Sequence, residues 1–345
     1  MPAFWSHRLL TLLQLTRMAL VFTAIADGWC ALALWEAWDR PGAGAADLWD
    51  PWRALAVGGV AVGLYGFGMS LNDLIDRRRD AQISPARPLP SGRVSVGAAT
   101  GVCGLLLALS LGAAAVFEFV GGGRSPAVAL TAVTLGLIWF YDAAGKYLVG
   151  PGLVTLGLVR FVHALVPSLE IHPAVPPAAW HPLLWHPLWL LNHVTILSTV
   201  CYGWEQKRPA LNAKHWGCVL LTLLAIDGTA AWWIGTRGHG SAAENLRLDW
   251  RLAGPALASL AFVAVALRVK RRAPTSREAG QATMLYGLLW LIAYDAIFAG
   301  LYARPAAGVG LFLLLPIAYG SVRAMRAWSK LLAASQRPEF KRAGA

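Results

Sequence analysis

Charge is scarce in this sequence. Asp, Glu, Lys and Arg together make up 14% of its 345 residues, against 57% hydrophobic residues, and mean hydropathy is +0.52. A water-soluble chain of this length needs far more polar surface to cover its core, which excludes a soluble globular fold. Alternation of polar and apolar residues is missing too. The apolar stretches are continuous and rich in Ala and Leu, which argues against membrane-spanning strands. Cysteine is sparse: Cys30, Cys103, Cys201 and Cys218 stand singly in or beside apolar runs, with no CxxC pair. They read as small buried hydrophobes, and neither a disulfide framework nor a zinc site is expected. No short apolar core with a small-residue cleavage site opens the chain, so no removed signal peptide is expected. No linker divides the sequence, and 1–345 reads as a single transmembrane domain.

What remains is a polytopic all-α membrane protein. Apolar runs of about 20 residues recur, each long enough to cross a bilayer as a helix. Helices are expected near 17–37, 53–75, 95–119, 126–142, 150–169, 186–204, 215–235, 253–269, 282–303 and 306–325. Ten spans return both termini to one side. With the 76–94 loop and the loops near 146, 208 and 270 on that side, it carries 22 of the 30 Lys and Arg. The excess assigns this side, including both termini and the Asp-rich loop, to the cytoplasmic face of the cell membrane. The net charge of +12 is thus an orientation signal, and no nucleic-acid partner is expected. Tryptophans gather at the other face, among them Trp35, Trp52, Trp185, Trp232 and Trp250, as an interfacial aromatic belt. The outer loop 170–187 holds His172, His181 and His186, with His193 beyond, at spacings that match no compact metal motif.

The most informative stretch closes the second expected helix. Continued through residue 80 at about 100° per residue, that helix puts Asn72, Asp73, Asp76 and Asp80 within a stripe about 100° wide. Three carboxylates and a carboxamide on one face need a cation among them. Hard oxygen ligands of this type suit Mg²⁺, which commonly bridges to a substrate phosphate. Arg77, Arg78, Arg79 and Arg87 are placed to contact the same anion.

Polar residues inside spans are costly and therefore informative. Asp27, Arg160 and Asp295 fall mid-span; Asp27 and Arg160 are a conceivable pair lining a cavity, and Asp295 reads as structural. Two further stretches end helices at the inner face. One offers Tyr141, Asp142 and Lys146, the last a compact cation for phosphate. The other holds Glu205, its only acid, followed by Lys207 and Arg208.

Asn-Asp-x-x-Asp-x-x-x-Asp from Asn72 to Asp80, followed by Arg87-Pro-Leu-Pro-Ser-Gly92, resembles the first signature of the UbiA superfamily of intramembrane prenyltransferases. The Tyr141, Asp142 and Lys146 stretch and the span holding Arg160 stand where that family has its next polar elements, and the resemblance covers about residues 15–303. It implies nine transmembrane helices around a central cavity open sideways to lipid, here with a tenth C-terminal helix at 306–325 and a basic cytoplasmic tail. It also implies that Asn72, Asp73, Asp76 and Asp80 hold Mg²⁺ and the diphosphate of an isoprenoid donor. Arg87, Lys146 and Arg160 would then contact the diphosphate or line the cavity, and Asn72, Tyr141, Asp27, Glu205, Lys207 and Arg208 complete the expected substrate-binding set. The family's second Asp-rich motif is missing: only Glu205 stands there, beside Lys207 and Arg208, as in a divergent UbiA-like branch. The implied activity is Mg²⁺-dependent transfer of a prenyl group from a polyprenyl diphosphate to an aromatic or other lipophilic acceptor. The alternative is a non-catalytic UbiA-like protein that binds or transports a lipophilic metabolite.

Overall fold

The computed structural model describes residues 2–40, 50–120, 125–168, 181–237 and 249–335, and no strand occurs among them. The chain runs through α1 (Pro2–Leu15), α2 (Val21–Asp39), α3 (Pro51–Ile83), α4 (Val96–Val120), α5 (Ala127–Ala143) and α6 (Val149–Leu165). It continues with α7 (His181–Trp204), α8 (Ala213–Arg237), α9 (Ala253–Arg272), α10 (Ser276–Phe298), α11 (Pro305–Phe312) and α12 (Leu314–Ser335). Seven segments are long and apolar enough to cross a membrane, containing α2, α3, α4, α8, α9, α10 and the run of α11 with α12; α5 and α6 are apolar but shorter. Every apolar run expected from the sequence coincides with a helix except the last, 306–325, which is divided between α11 and α12 at Leu313. Helix α1 is an addition, and α12 runs ten residues past the expected end of the last span.

Local chemistry explains several boundaries. Asp50 caps α3 by accepting from the Trp52 amide at 2.9 Å, with Pro51 in the first turn, where its missing N–H costs nothing. Thr275 caps α10 by accepting from the Glu278 amide at 3.2 Å, and the helix ends in a π-helical turn at Ala299–Ala303. Helix α3 does not stop where its apolar run stops. It continues to Ile83 and carries the whole Asp stripe on regular helix.

One core joins α2, α7, α10, α11 and α12 through Cys30, Leu34, Trp35, Leu190, Tyr294, Phe298 and Leu311. A second joins α2, α3, α4 and α5 around Val57, Leu64, Phe67, Phe117 and Ile138, and a third binds α6, α7 and α8. Large apolar side chains such as Leu105, Phe119, Leu257 and Leu260 are exposed on the outside, as a lipid-facing surface requires. Two outer-face assignments change. Trp35 is fully buried in the first core, not part of a belt. Arg53 is also buried, paired with Glu36 at 2.5 Å over the Phe117 ring, so its charge is neutralised inside the protein. His172 and the prolines at 173, 176 and 177 lie outside the described residues.

Close helix contact depends on small residues. A side chain at Gly157 on α6 would begin 2.6 Å from the Leu191 carbonyl oxygen and 2.1 Å from Thr195 Oγ1 on α7, whereas one at Gly112 on α4 would meet nothing within 4 Å. Gly157→Leu should therefore destabilise the protein by about 1–3 kcal/mol through overpacking against backbone that cannot move aside. The check is thermal unfolding in detergent: a lowered midpoint for Gly157→Leu and an unchanged one for Gly112→Leu.

Candidate active site

Four segments meet at the far end of α3. The first is the stripe itself, where Asp73 and Asp80 are buried and Asp76 is nearly so. The second is the turn between α1 and α2. Arg17 adopts left-handed backbone there (φ 47°), a conformation that costs a non-glycine residue about 1 kcal/mol or more, and its guanidinium donates to Asp73 Oδ1 at 3.0 Å.

The third segment is the loop after α3. It folds back through Ser91 N–H to the Arg87 carbonyl (3.0 Å) and Val94 N–H to the Pro88 carbonyl (3.2 Å). Gly92 takes φ +72°, which a side chain would oppose. Arg93 ties the loop to α1 by donating to Gln14 Oε1 at 2.7 Å. So folded, the loop delivers Arg87 into an ion pair with Asp80 and to 3.7 Å from Asp73.

The fourth segment is the turn between α5 and α6. Lys146, in a short 3₁₀ turn, donates to Asp76 Oδ1 at 2.6 Å. Asp142, in the last turn of α5, is buried and accepts from the Asn72 amide at 3.0 Å. The same amide donates to Asp76 Oδ2 at 3.3 Å, the orientation its two acid neighbours require. Tyr141 lies within electrostatic range of Asp76, Asp142 and Arg17, and of Tyr202 on α7.

The patch thus holds four carboxylates (Asp73, Asp76, Asp80, Asp142) against three cations (Arg17, Arg87, Lys146). It keeps negative charge, and Asp73 Oδ2 and Asp80 Oδ1 have no protein donor among the described residues. Spare hard oxygens in an under-neutralised patch fit a divalent cation of the Mg²⁺ type. The three cations interleaved with them fit an anion beside it.

Of the candidates named from the sequence, Asn72, Asp73, Asp76, Asp80, Arg87 and Lys146 are brought together, with Tyr141 alongside. Arg77, Arg78 and Arg79 are not: they stay exposed and form no ion pair among the described residues, where Arg77 donates to the Leu74 carbonyl. Asp27 and Arg160 do pair, at 2.5 Å, deeper in the bundle, and Arg160 also donates to Thr23 Oγ1 at 2.9 Å. Glu205 pairs with Lys207 at 3.0 Å, and neither they nor Arg208 bonds to the Asp patch among the described residues.

Sequence reasoning counted Arg17 only as an orientation charge. The signal available was its place in the break between two apolar helices. Asp142 was noted without a role, because nothing local links it to Asn72. Asp227, mid-way along α8, was passed over. Its carboxylate accepts twice from the Asn192 amide, at 3.0 and 3.1 Å. Both line a cavity of about 640 Å³ between α7, α8, α9 and α10, otherwise walled by apolar and aromatic residues such as Trp189, Phe262 and Leu267.

No curated protein sequence matches the chain. Among solved structures, the fold is similar to that of a digeranylgeranylglyceryl phosphate synthase, with a TM-score of 0.57 and 17% identity over 86% of this chain and 99% of the other. It is also similar to a UbiA homologue from Archaeoglobus fulgidus bound to DMAPP and Mg²⁺, with a TM-score of 0.51 and 14% identity over 83% and 99%. At these identities the likeness is one of fold. The model of the UbiA prenyltransferase family matches residues 29–207, a span that contains the Asp stripe, Arg87, Asp142, Lys146 and Arg160. With the apolar helices and the shared architecture, that match makes the chain an integral membrane protein belonging to the UbiA prenyltransferase family.

Proposed function

We propose that this protein transfers an isoprenoid chain from a polyprenyl diphosphate to an aromatic or other lipophilic acceptor, with Mg²⁺, at the cytoplasmic face of the cell membrane. The observation that carries this reading is the interleaving of four carboxylates with three cations at one end of an apolar bundle. The Archaeoglobus relative of the same fold, bound to DMAPP and Mg²⁺, supports it. The reaction breaks the bond between the allylic C1 and the diphosphate oxygen, which leaves with the electron pair. A new bond forms between C1 and the acceptor, and the acceptor gives up a proton.

Asn72, Asp73, Asp76 and Asp80 would hold Mg²⁺, with Asp142 keeping Asn72 in place. When bound, the metal neutralises charge on the departing diphosphate. The chain's own cations do the rest. Arg17, Arg87 and Lys146 each hold a carboxylate in the resting protein and can exchange it for a diphosphate oxygen, while the metal offsets the negative charge that the patch and the diphosphate carry together. Arg160, fixed by Asp27 and Thr23, adds a further cation along the interior. The apolar walls exclude water from the allylic cation, and aromatic faces stabilise it. Residues 15–303 form the UbiA-like core of a single domain, with α11 and α12 added to it.

The Glu205–Lys207 pair favours a second reading. With its one acid already engaged, the inner end of α7 lacks a second metal site, as expected of a relative that binds a lipophilic metabolite without turnover. Diphosphate release from prenyl diphosphates of varied length, with and without Mg²⁺, separates the two. Mg²⁺-dependent release is expected, and binding without release overturns the enzyme reading.

Two substitutions test the site in that assay. Asp76→Asn removes a ligand and the partner of Lys146, and should lower turnover by about 100-fold or more while the protein stays folded in detergent. Arg17→Gln should raise KM for the donor by about 10-fold, as expected for one lost charge-assisted contact, whereas Arg77→Gln on the exposed face should change it less than about twofold.

A further inference from the structure

A second polar cluster lies toward the opposite end of the bundle from the Asp stripe. Cys30 on α2, His186 on α7 and Asp295 on α10 bring thiol, imidazole and carboxylate atoms within 4.8 Å of one another. All three residues are 0% exposed. His186 Nε2 and Asp295 Oδ1 are 2.7 Å apart. Cys30 bonds to the Ala299 backbone, but His186 Nδ1, Asp295 Oδ2 and the neighbouring Asp27 Oδ1 receive no donor, although the two carboxyls lie within hydrogen-bonding range of each other. Buried polar atoms in native proteins are almost always paired, so three orphans in one cluster need an explanation.

Charge narrows the explanation. Asp27 and Asp295 bring two negative charges into contact range, and Arg160 answers only one of them through Asp27 Oδ2. Either a proton is shared between the two carboxyls or a cation sits among them. A divalent ion held by a Cys30 thiolate adds one net positive charge and leaves the cluster neutral.

We propose that Cys30, His186 and Asp295 bind one transition-metal ion of the Zn²⁺ class, with Asp27 in reach as a fourth ligand. Sulfur, nitrogen and oxygen donors together are the chemistry of zinc and its neighbours, whereas Mg²⁺ takes oxygen alone, so this site is distinct from the diphosphate site. Binding displaces the thiol proton to solvent. The outer shell is built: Arg160 and Thr23 fix Asp27, and the edge of Phe298 packs against His186 at 5.4 Å between ring centroids. With ligands on α2, α7 and α10, the ion ties together the three helices that meet in the first core. Its role is structural, because full burial leaves no open position for a substrate.

The test is the metal content of the full chain purified in detergent from cells grown with added Zn²⁺, with no prenyl donor present. Failure here therefore leaves the transferase reading untouched. The expected result is about one Zn per chain, retained through brief chelation because the site is buried. Cys30→Ser, His186→Ala and Asp295→Asn should each cut that content at least about fivefold, while Cys218→Ser keeps it. Less than about a tenth of an equivalent in the wild type overturns the proposal in favour of a shared proton, as does metal that survives in Cys30→Ser and His186→Ala. If the variants do not fold, the Co²⁺-grown wild type decides. A thiolate-to-cobalt band in the near ultraviolet supports the site; its absence overturns it.

Discussion

Burying several carboxylates side by side is tolerable only if nearby cations and hydrogen-bond donors offset most of their charge, and the far end of α3 is organised by that requirement. Asp73, Asp76 and Asp80 lie on one helical face with little access to water, and Asp142 adds a fourth acid from α5. Arg17, Arg87 and Lys146 arrive from three other segments to meet them. The cost of leaving any one acid unpaired exceeds the small strain of holding Arg17 in a left-handed conformation. The same cost explains why the loop after α3 is folded on itself, with Gly92 at positive φ and Arg93 anchored on α1. These features convert a stripe on a helix into a site with fixed walls.

The arrangement also accounts for how one site meets two opposite charges. Each cation holds a carboxylate in the resting protein, so none of the three cations is bare, and the patch keeps a residual negative charge. On the proposed function, an incoming diphosphate would compete for the cations, and Asp73, Asp76 and Asp80 would hold the metal that accompanies it. Binding is then an exchange of partners, and the low-dielectric surroundings strengthen the new pairs as much as the old ones.

How much of this was legible in the sequence depends on how local each feature is. The helices were, because continuous apolar runs of membrane length permit little else. So was the Asp stripe, since its four members share a few turns of one helix and need only the helical period to be placed together. Arg17 and Asp142 were not, because their roles depend on contacts across 56 and 70 residues of chain that no spacing rule reports. Arg77, Arg78 and Arg79 misled for the converse reason: adjacency in sequence put them near the stripe, but the helix turns them outward. The pairing of Asp27 with Arg160 was conceivable yet unforced. The Cys30, His186 and Asp295 cluster was invisible, since its members come singly from three helices and match no compact motif.

The most direct test of the central claim is a structure of the protein with an unreactive thiolo analogue of a prenyl diphosphate and Mn²⁺ in place of Mg²⁺. The account predicts an anomalous peak among Asp73, Asp76 and Asp80, with Arg17, Arg87 and Lys146 turned from carboxylate to phosphate oxygens. A diphosphate bound elsewhere, or bound while those three ion pairs remain closed, would contradict it.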